Sequence, residues 1–155
     1  MDAPGHRGDY WTYNQGTFLG GLTALHQATG RQEFLDEAVK VAGSVLHESG
    51  LILPGGVIVE KIGTRGDACL FKGIFARYLA QLRDVLRARN LHPATAQEID
   101  RCIRASAASL LENGVGADGL FPAEWHRDAR DVKTNFNTQI SALAALVAVL
   151  PESKP

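Results

Sequence analysis

The chain has 155 residues, with 16 Lys or Arg and 17 Asp or Glu, which gives a formal net charge of −1 at pH 7. This length predicts one domain with a substantial core, and the balanced charge argues against nucleic acid or a membrane surface as partner. No apolar run is long enough to cross a bilayer, and the first nine residues lack the apolar segment of a signal peptide. The compartment stays open.

The stretch from Trp11 to Gly21 (Trp-Thr-Tyr-Asn-Gln-Gly-Thr-Phe-Leu-Gly-Gly) leads from two aromatic residues into a predicted helix of about residues 14–29. Asn14 and Gln15 would lie at the helix start, where backbone N–H groups and side-chain amides converge. Aromatic faces stack on the C–H faces of sugars and amides bind hydroxyls, so the stretch suits a polyhydroxylated ligand. The alternative is that Asn14 caps the helix and the aromatic residues belong to the core.

The first helix has an apolar stripe at helical spacing, formed by Phe18, Leu22, Leu25 and Thr29. Gly20 and Gly21 each cost a helix about 1 kcal/mol relative to Ala. We therefore expect a neighbouring helix to approach their backbone closely. Gly30 is expected to end the helix in the left-handed conformation.

Four further helices are predicted, over about residues 32–47, 68–89, 95–113 and 138–150. The third is apolar over more than half its circumference, apart from Lys72, which implies burial between layers. Asp67 is expected to cap it, and the fourth helix is expected to start with a capping box from Thr95 to Glu98. Residues 51–60 form two short β-type runs around a Pro-Gly-Gly turn.

Smaller features have bland interpretations. Cys69 and Cys102 fall in apolar helical patterns and are expected to be small core residues rather than a disulfide or a metal site. The histidines show no metal-ligand spacing, and His26 and His47 are expected at the surface. No cofactor or metal is expected.

A repeat emerges when the chain is compared with itself at an offset of 64 residues. Matched pairs include Leu35 with Ile99, Leu46 with Leu110, Gly50 with Gly114, Glu60 with Glu124, Leu79 with Leu143, and Leu86 with Leu150. The unit is an outer helix, a short hairpin, a polar loop and an inner helix, and such hairpins stack into a solenoid or a closed toroid. The loops that enter the inner helices would then share one end, which brings carboxylates and aromatic residues together.

Three segments resemble glycoside hydrolase family 76, whose members include endo-acting α-1,6-mannanases. They are Trp-Thr-Tyr-Asn-Gln-Gly from Trp11, Leu-Phe-Lys-Gly-Ile-Phe-Ala-Arg-Tyr-Leu from Leu70, and Gly-Leu-Phe-Pro-Ala-Glu-Trp ending at Trp125. The resemblance implies an all-α chain of antiparallel helical hairpins, forming about half of an (α/α)6 toroid with short β-hairpin turns. Residues 1–150 would be this partial domain and 151–155 a polar tail. Members of the family are often exported.

The resemblance covers the C-terminal half of the family and implies two consecutive catalytic aspartates in the other half. No Asp-Asp pair occurs in this sequence, so no catalytic residue is assigned. A retaining glycosidase needs two suitably placed carboxyl groups. Glu60, Asp67 and Glu124 are conceivable substitutes, although a cap and loop contacts explain them more simply.

The resemblance implies a substrate-binding wall, with Trp125 as the stacking platform. The assigned residues are Trp11, Tyr13, Asn14, Gln15, Asp67, Phe71, Lys72 and Trp125; Lys72 could instead pair with a structural carboxylate. The leading hypothesis is half of a mannanase-like hydrolase that binds a mannan-type glycan, is inactive alone, and associates with its missing half or with itself. A non-catalytic glycan-binding module and a helical-repeat interaction protein are the alternatives.

Overall fold

The computed structural model describes residues 10–60, 66–113, 115–116, 119–127 and 134–150. It contains the helices α1 (Thr12–Thr29), α2 (Gln32–His47), α3 (Phe71–Ala88), α4 (Pro93–Asn113) and α5 (Phe136–Ala148), and a 3-10 helix over Gly66–Leu70. Within these ranges there is no strand, only one antiparallel bridge between Ile52 and Ile58. The all-α prediction is confirmed, whereas the β-type runs of 51–60 remain extended without forming strands. None of the described helices could span a membrane.

Helix α3 is the centre of the fold, because it packs against α1, α4 and α5. Its residues Phe75, Leu79, Leu82 and Leu86 have no exposed surface. The wide apolar surface of this helix is therefore buried between neighbours, as predicted. Cys69 and Cys102 are both free and buried in the core.

Helices α1, α3 and α5 start at the same end of the molecule, which we call the rim. The rings of Trp11 and Phe71, which flank the starts of α1 and α3, are 5.7 Å apart. Asn137 in the first turn of α5 donates a hydrogen bond of 3.2 Å to the Gly66 carbonyl just before α3. The three helices are thus parallel, and the loops that enter them meet at one end, as the repeat predicted.

Small residues set the distance between these parallel helices. A Cβ atom on Gly16 of α1 would lie 2.8 Å from the Cα of Phe75, and one on Gly73 of α3 would lie 2.6 Å from the Cα of Ser141 in α5. A Cβ on Gly20 would collide with the Tyr78 ring, which confirms the predicted close approach at that residue. At Gly21 a Cβ would meet no other described residue within 4 Å.

The repeat has a different register from the predicted one in the parallel helices. An offset of 64 pairs buried with buried residues between α2 and α4, for example Leu35 with Ile99. In α3 and α5 it fails, because Leu79 is fully buried while Leu143 is 61% exposed. The glycine contacts instead equate Gly16 with Gly73, 57 residues apart, and Phe75 with Ser141, 66 residues apart.

Two predicted helix starts are wrong because the caps come from elsewhere. Helix α1 begins at Thr12 rather than near Asn14, and the Thr12 N–H donates to the Glu60 carboxylate at 3.1 Å. Asn14 therefore lies inside the first turn and does not cap. Asp67 lies within the 3-10 helix and does not cap α3, whose N-cap is Leu70 without a side-chain hydrogen bond.

The other two starts also differ. Helix α4 begins at Pro93, so Thr95 is already helical, and Pro is favourable in a first turn because its missing N–H needs no partner there. Helix α5 begins at Phe136, where Asn135 and Thr138 form a reciprocal capping box. The Asn135 side chain accepts from the Thr138 N–H at 3.0 Å.

The predicted apolar stripe of α1 faces away from the core. Phe18 is 53% exposed and Leu25 46% exposed. The buried face consists of Thr12, Gly16, Leu19, Gly20, Thr23 and His26. His26, expected at the surface, is buried and lies with Nδ1 2.9 Å from the Arg31 carbonyl oxygen; His47 is exposed, as predicted.

A buried ionic cluster at the end opposite the rim was not predicted. The Arg83 guanidinium is 2% exposed and contacts Asp84, Asp100 and the Ala148 carbonyl at 2.7, 3.1 and 2.9 Å. Burial would raise the pKa of Asp100, but hydrogen bonds and charge from Arg104 and Arg87 lower it below its ordinary value. The cluster ties the ends of α3 and α5 to the start of α4.

Candidate functional site

Three aromatic rings meet at the rim, where α1 and α3 begin. The Tyr13 ring lies 4.2 Å from the Phe71 ring, and the Trp11 ring stacks on Phe71 with an interplanar angle of 22°. Each of the three side chains is partly exposed. We call Trp11, Tyr13 and Phe71 the aromatic cluster. Its rings offer the flat apolar faces on which a sugar stacks.

Glu60 fixes the aromatic cluster from below by anchoring the start of α1. Its Oε2 accepts hydrogen bonds from the Thr12 N–H at 3.1 Å and from the Thr12 hydroxyl at 2.6 Å. Thr12 has no exposed surface, and it lies between Trp11 and Tyr13 in the chain. A carboxylate at a helix N-terminus is favoured by the helix dipole and by the free N–H groups. Glu60 thus has a structural task.

Lys72 lies behind the aromatic cluster rather than on its surface. Its Nζ donates a 2.6 Å hydrogen bond to the Ala123 carbonyl and lies 5.1 Å from the centre of the Trp125 ring. Burial lowers the pKa of Lys72 from 10.5 to about 8, against the opposing attraction of Glu60, Cys69 and Glu124. The side chain is only 3% exposed, so the prediction that it contacts substrate is wrong for this structure. It joins α3 to the segment before α5.

Trp125 is buried as well, and this contradicts its prediction as a stacking platform. The residue is 1% exposed and its carbonyl accepts a 2.7 Å hydrogen bond from the Ser109 hydroxyl of α4. A tryptophan face that is covered by Lys72 and the core offers nothing for a sugar to stack on. Sequence reasoning could not separate Trp125 from Trp11, because both are aromatic residues in loops at the same end.

The remaining predicted site residues are at or near the surface. Asn14 and Asp67 are exposed, and Gln15 is partly exposed. Gln15 lines a cleft of about 360 Å³ between α1 and α2, together with Tyr10, Lys40, Ser44 and Glu48. Gln15 therefore lies beside the aromatic cluster in the chain but contributes to a different surface.

The carboxylates considered as catalytic substitutes are engaged or separated. Glu60 caps α1, and Glu124 forms a 2.9 Å ion pair with Arg127. Asp67 is exposed in the 3-10 helix. Among the described residues, no group of three or more His, Cys, Asp or Glu could hold a metal ion.

A larger cleft lies away from the rim. It has a volume of about 640 Å³ and is lined by the end of α2, the 52–56 turn and α4, including His47, Pro54, Glu98 and Arg101. No aromatic ring other than the His47 imidazole lines it, so it lacks the stacking surface that a sugar needs. We therefore place the candidate site at the aromatic cluster.

Comparison with known proteins agrees with this geometry. The model of glycosyl hydrolase family 76 matches residues 6–155. The chain belongs to glycosyl hydrolase family 76. It is 30% identical to the mannan endo-1,6-alpha-mannosidase DFG5 of Saccharomyces cerevisiae and 26% identical to the corresponding DCW1 enzyme of Candida glabrata.

Solved structures show the same fold. The GH76A α-1,6-mannanase of Salegentibacter sp. HEL1_6 is 34% identical with a TM-score of 0.77, over 92% of this chain and 40% of that protein. A variant of it, inactive through replacement of two consecutive aspartates, was solved with α-1,6-mannotriose. The Lin0763 protein of Listeria innocua is 26% identical with a TM-score of 0.72, over 93% of this chain and 38% of that one.

The match is partial on the side of the relatives. The aligned region is 94% of this chain but 31% of the yeast enzyme, and 88% of this chain but 30% of the Candida enzyme. The chain thus spans about a third of the length of the curated relatives it matches.

Proposed function

We propose that this chain forms part of the glycan-binding wall of a family 76 glycoside hydrolase and binds an α-1,6-mannan-type polysaccharide. The observation that carries the proposal is the aromatic cluster at the rim. Partly exposed rings, held rigid by the Thr12–Glu60 hydrogen bonds, form a preorganised stacking surface. The mannanase of Salegentibacter supports the choice of ligand, since it was solved with α-1,6-mannotriose.

The polar residues near the cluster suit a hydroxyl-rich ligand. Asn14 is exposed one residue beyond Tyr13, and Asp67 is exposed four residues before Phe71. Amide and carboxylate groups bind sugar hydroxyls while the rings bind the C–H face. Lys72 and Trp125 take no direct part in this proposal, because both are buried; they support the wall from behind.

We further propose that the chain by itself does not hydrolyse glycan. The sequence has no Asp-Asp pair, and replacing such a pair inactivates the Salegentibacter enzyme. Of the carboxylates at the rim, Glu60 and Glu124 are bound to protein groups. A family-length protein would supply the rest of the toroid, and that remainder is the expected partner of this chain.

Binding of α-1,6-mannotriose, measured by isothermal titration calorimetry, tests the first proposal. We expect binding by the unaltered chain and a roughly tenfold or larger loss of affinity for Tyr13→Ala, since one aromatic contact contributes about 0.5–1.5 kcal/mol. Phe34→Ala is the matched control, because Phe34 is a partly exposed ring on α2 outside the cluster. Equal binding by both variants, or none by the unaltered chain, would contradict the proposal. Release of mannose or mannobiose would refute the non-catalytic part.

A further inference from the structure

Helices α1 and α3 share a motif that neither the predicted repeat nor the site uses. The motif is Gly-x-Phe-x-x-x-Leu-x-x-Leu, and it begins at Gly16 in α1 and at Gly73 in α3. The two copies are 57 residues apart, the offset that the glycine contacts establish independently. Phe18, Leu22 and Leu25 therefore correspond to Phe75, Leu79 and Leu82.

In α3 this motif has two opposite contact faces. Its glycine receives the backbone of α5, and its Phe75 backbone packs against Gly16 of α1. Phe75, Leu79 and Leu82 have no exposed surface. Each parallel helix thus offers a glycine to the helix that follows and a Phe-Leu-Leu stripe to the helix that precedes.

In α1 only the glycine face is occupied by described residues. Gly16 and Gly20 meet α3, but Phe18 is 53% exposed and Leu25 is 46% exposed, with Leu22 partly buried. The same three residue types are fully buried at the matching positions of α3. Apolar side chains at spacings of four and three residues on one helix face are typical of a helix–helix contact.

We infer that the Phe18–Leu22–Leu25 stripe is the docking surface for a further parallel helix, supplied by the part of a family-length protein that this chain does not contain. The docked helix would carry Gly, Ala or Ser opposite Phe18, as Gly16 stands opposite Phe75. The length of the relatives supports this occupant over a second copy, since about two thirds of the yeast enzyme lies outside the aligned region. The inference rests on the proposed association with that remainder and not on glycan binding.

A chimera tests the inference. The aligned part of the Salegentibacter mannanase is replaced by this chain, and Leu25→Cys is introduced as a probe for labelling by a thiol reagent. Cys69 and Cys102 are buried, so they give a low background. Leu111→Cys is the matched control, because Leu111 is a 56% exposed leucine on α4.

We expect Leu25→Cys to react about tenfold or more slowly in a monomeric chimera than in the isolated chain, with Leu111→Cys equally reactive in both. Equal labelling of Leu25→Cys in both proteins would overturn the inference. Protection only in a dimeric chimera would assign the surface to a second copy and overturn the chosen occupant. Labelling does not depend on glycan, so failure of the glycan proposal leaves this result distinguishable.

A second measurement covers the case in which the chimera does not fold. With the stripe uncovered, the isolated chain should self-associate in sedimentation velocity. Phe18→Asp should shift it towards monomer, whereas Leu111→Asp should not. A wild-type chain that is monomeric at all concentrations, or equal effects of the two substitutions, would overturn the inference.

Discussion

Trp11 and Trp125 are the two tryptophans of the chain, and both lie at the rim in segments that lead into parallel helices. Trp11 is partly exposed and stacks on Phe71. Trp125 is buried against the Lys72 ammonium and held through its carbonyl by Ser109. The first is placed to meet a ligand, while the second is a core residue on which the loop is built. Residue type and loop position do not assign a role; the burial of the ring does.

The largest contrast is expected in stability. Trp125→Ala removes a fully buried ring and should lower the free energy of unfolding by about 3–5 kcal/mol. Trp11→Ala removes a partly exposed ring and should cost about 1 kcal/mol. Urea unfolding followed by circular dichroism measures both. Similar losses for the two variants would erase the distinction between them.

A smaller effect concerns Lys72, whose pKa of about 8 lies below its ordinary 10.5. Between these values the unfolded chain binds more protons than the folded one, so this residue makes stability increase with pH above about 8. We expect a gain of about 1 kcal/mol from pH 8 to pH 9. Above pH 9 Cys102 opposes it, because burial raises the pKa of that thiol from 9.0 to about 12 and its contribution is lost as pH rises.

Lys72→Met is the matched variant for this pH dependence. It removes the titrating ammonium, so the rise in unfolding free energy between pH 8 and pH 9 should disappear. Chemical denaturation at the two pH values provides the comparison. If the variant retains the slope of the unaltered chain, Lys72 is not its source, and the buried ammonium beside Trp125 loses its support.

Much of the fold followed from local patterns in the sequence. Helix α2 was predicted within its observed bounds, because its apolar stripe and its solvated Asp36-Glu37 face are both clear at helical spacing. The close approach at Gly20 followed from the cost of glycine in a helix. The family followed from three short motifs, which the match over residues 6–155 confirms.

The errors arose where distant residues decide. The start of α1 depends on Glu60, 48 residues away, and no local rule finds such a cap. The Phe18 stripe was predicted as a core face, but within the described residues its partner is absent. Arg83 was missed because an arginine within an apolar helix is buried only when Asp84, Asp100 and the Ala148 carbonyl surround it.

The site was predicted in part for the same reason. Trp11, Tyr13 and Phe71 do come together at the rim, whereas Lys72 and Trp125 turn inwards. A buried lysine facing a buried ring cannot be read from two motifs that are more than 50 residues apart. The signal that could have helped is the exact Gly-x-Phe-x-x-x-Leu-x-x-Leu match, since its offset of 57 gives the true register of α1 and α3.

The most direct test of the account follows the two tryptophans separately. A ¹⁵N-labelled chain gives two indole N–H signals, because it has two tryptophans, and Trp11→Phe assigns them. On titration with α-1,6-mannotriose, the Trp11 signal should shift progressively while the Trp125 signal stays in place. A shift confined to Trp125, or no shift of either signal at saturating trisaccharide, would contradict the account.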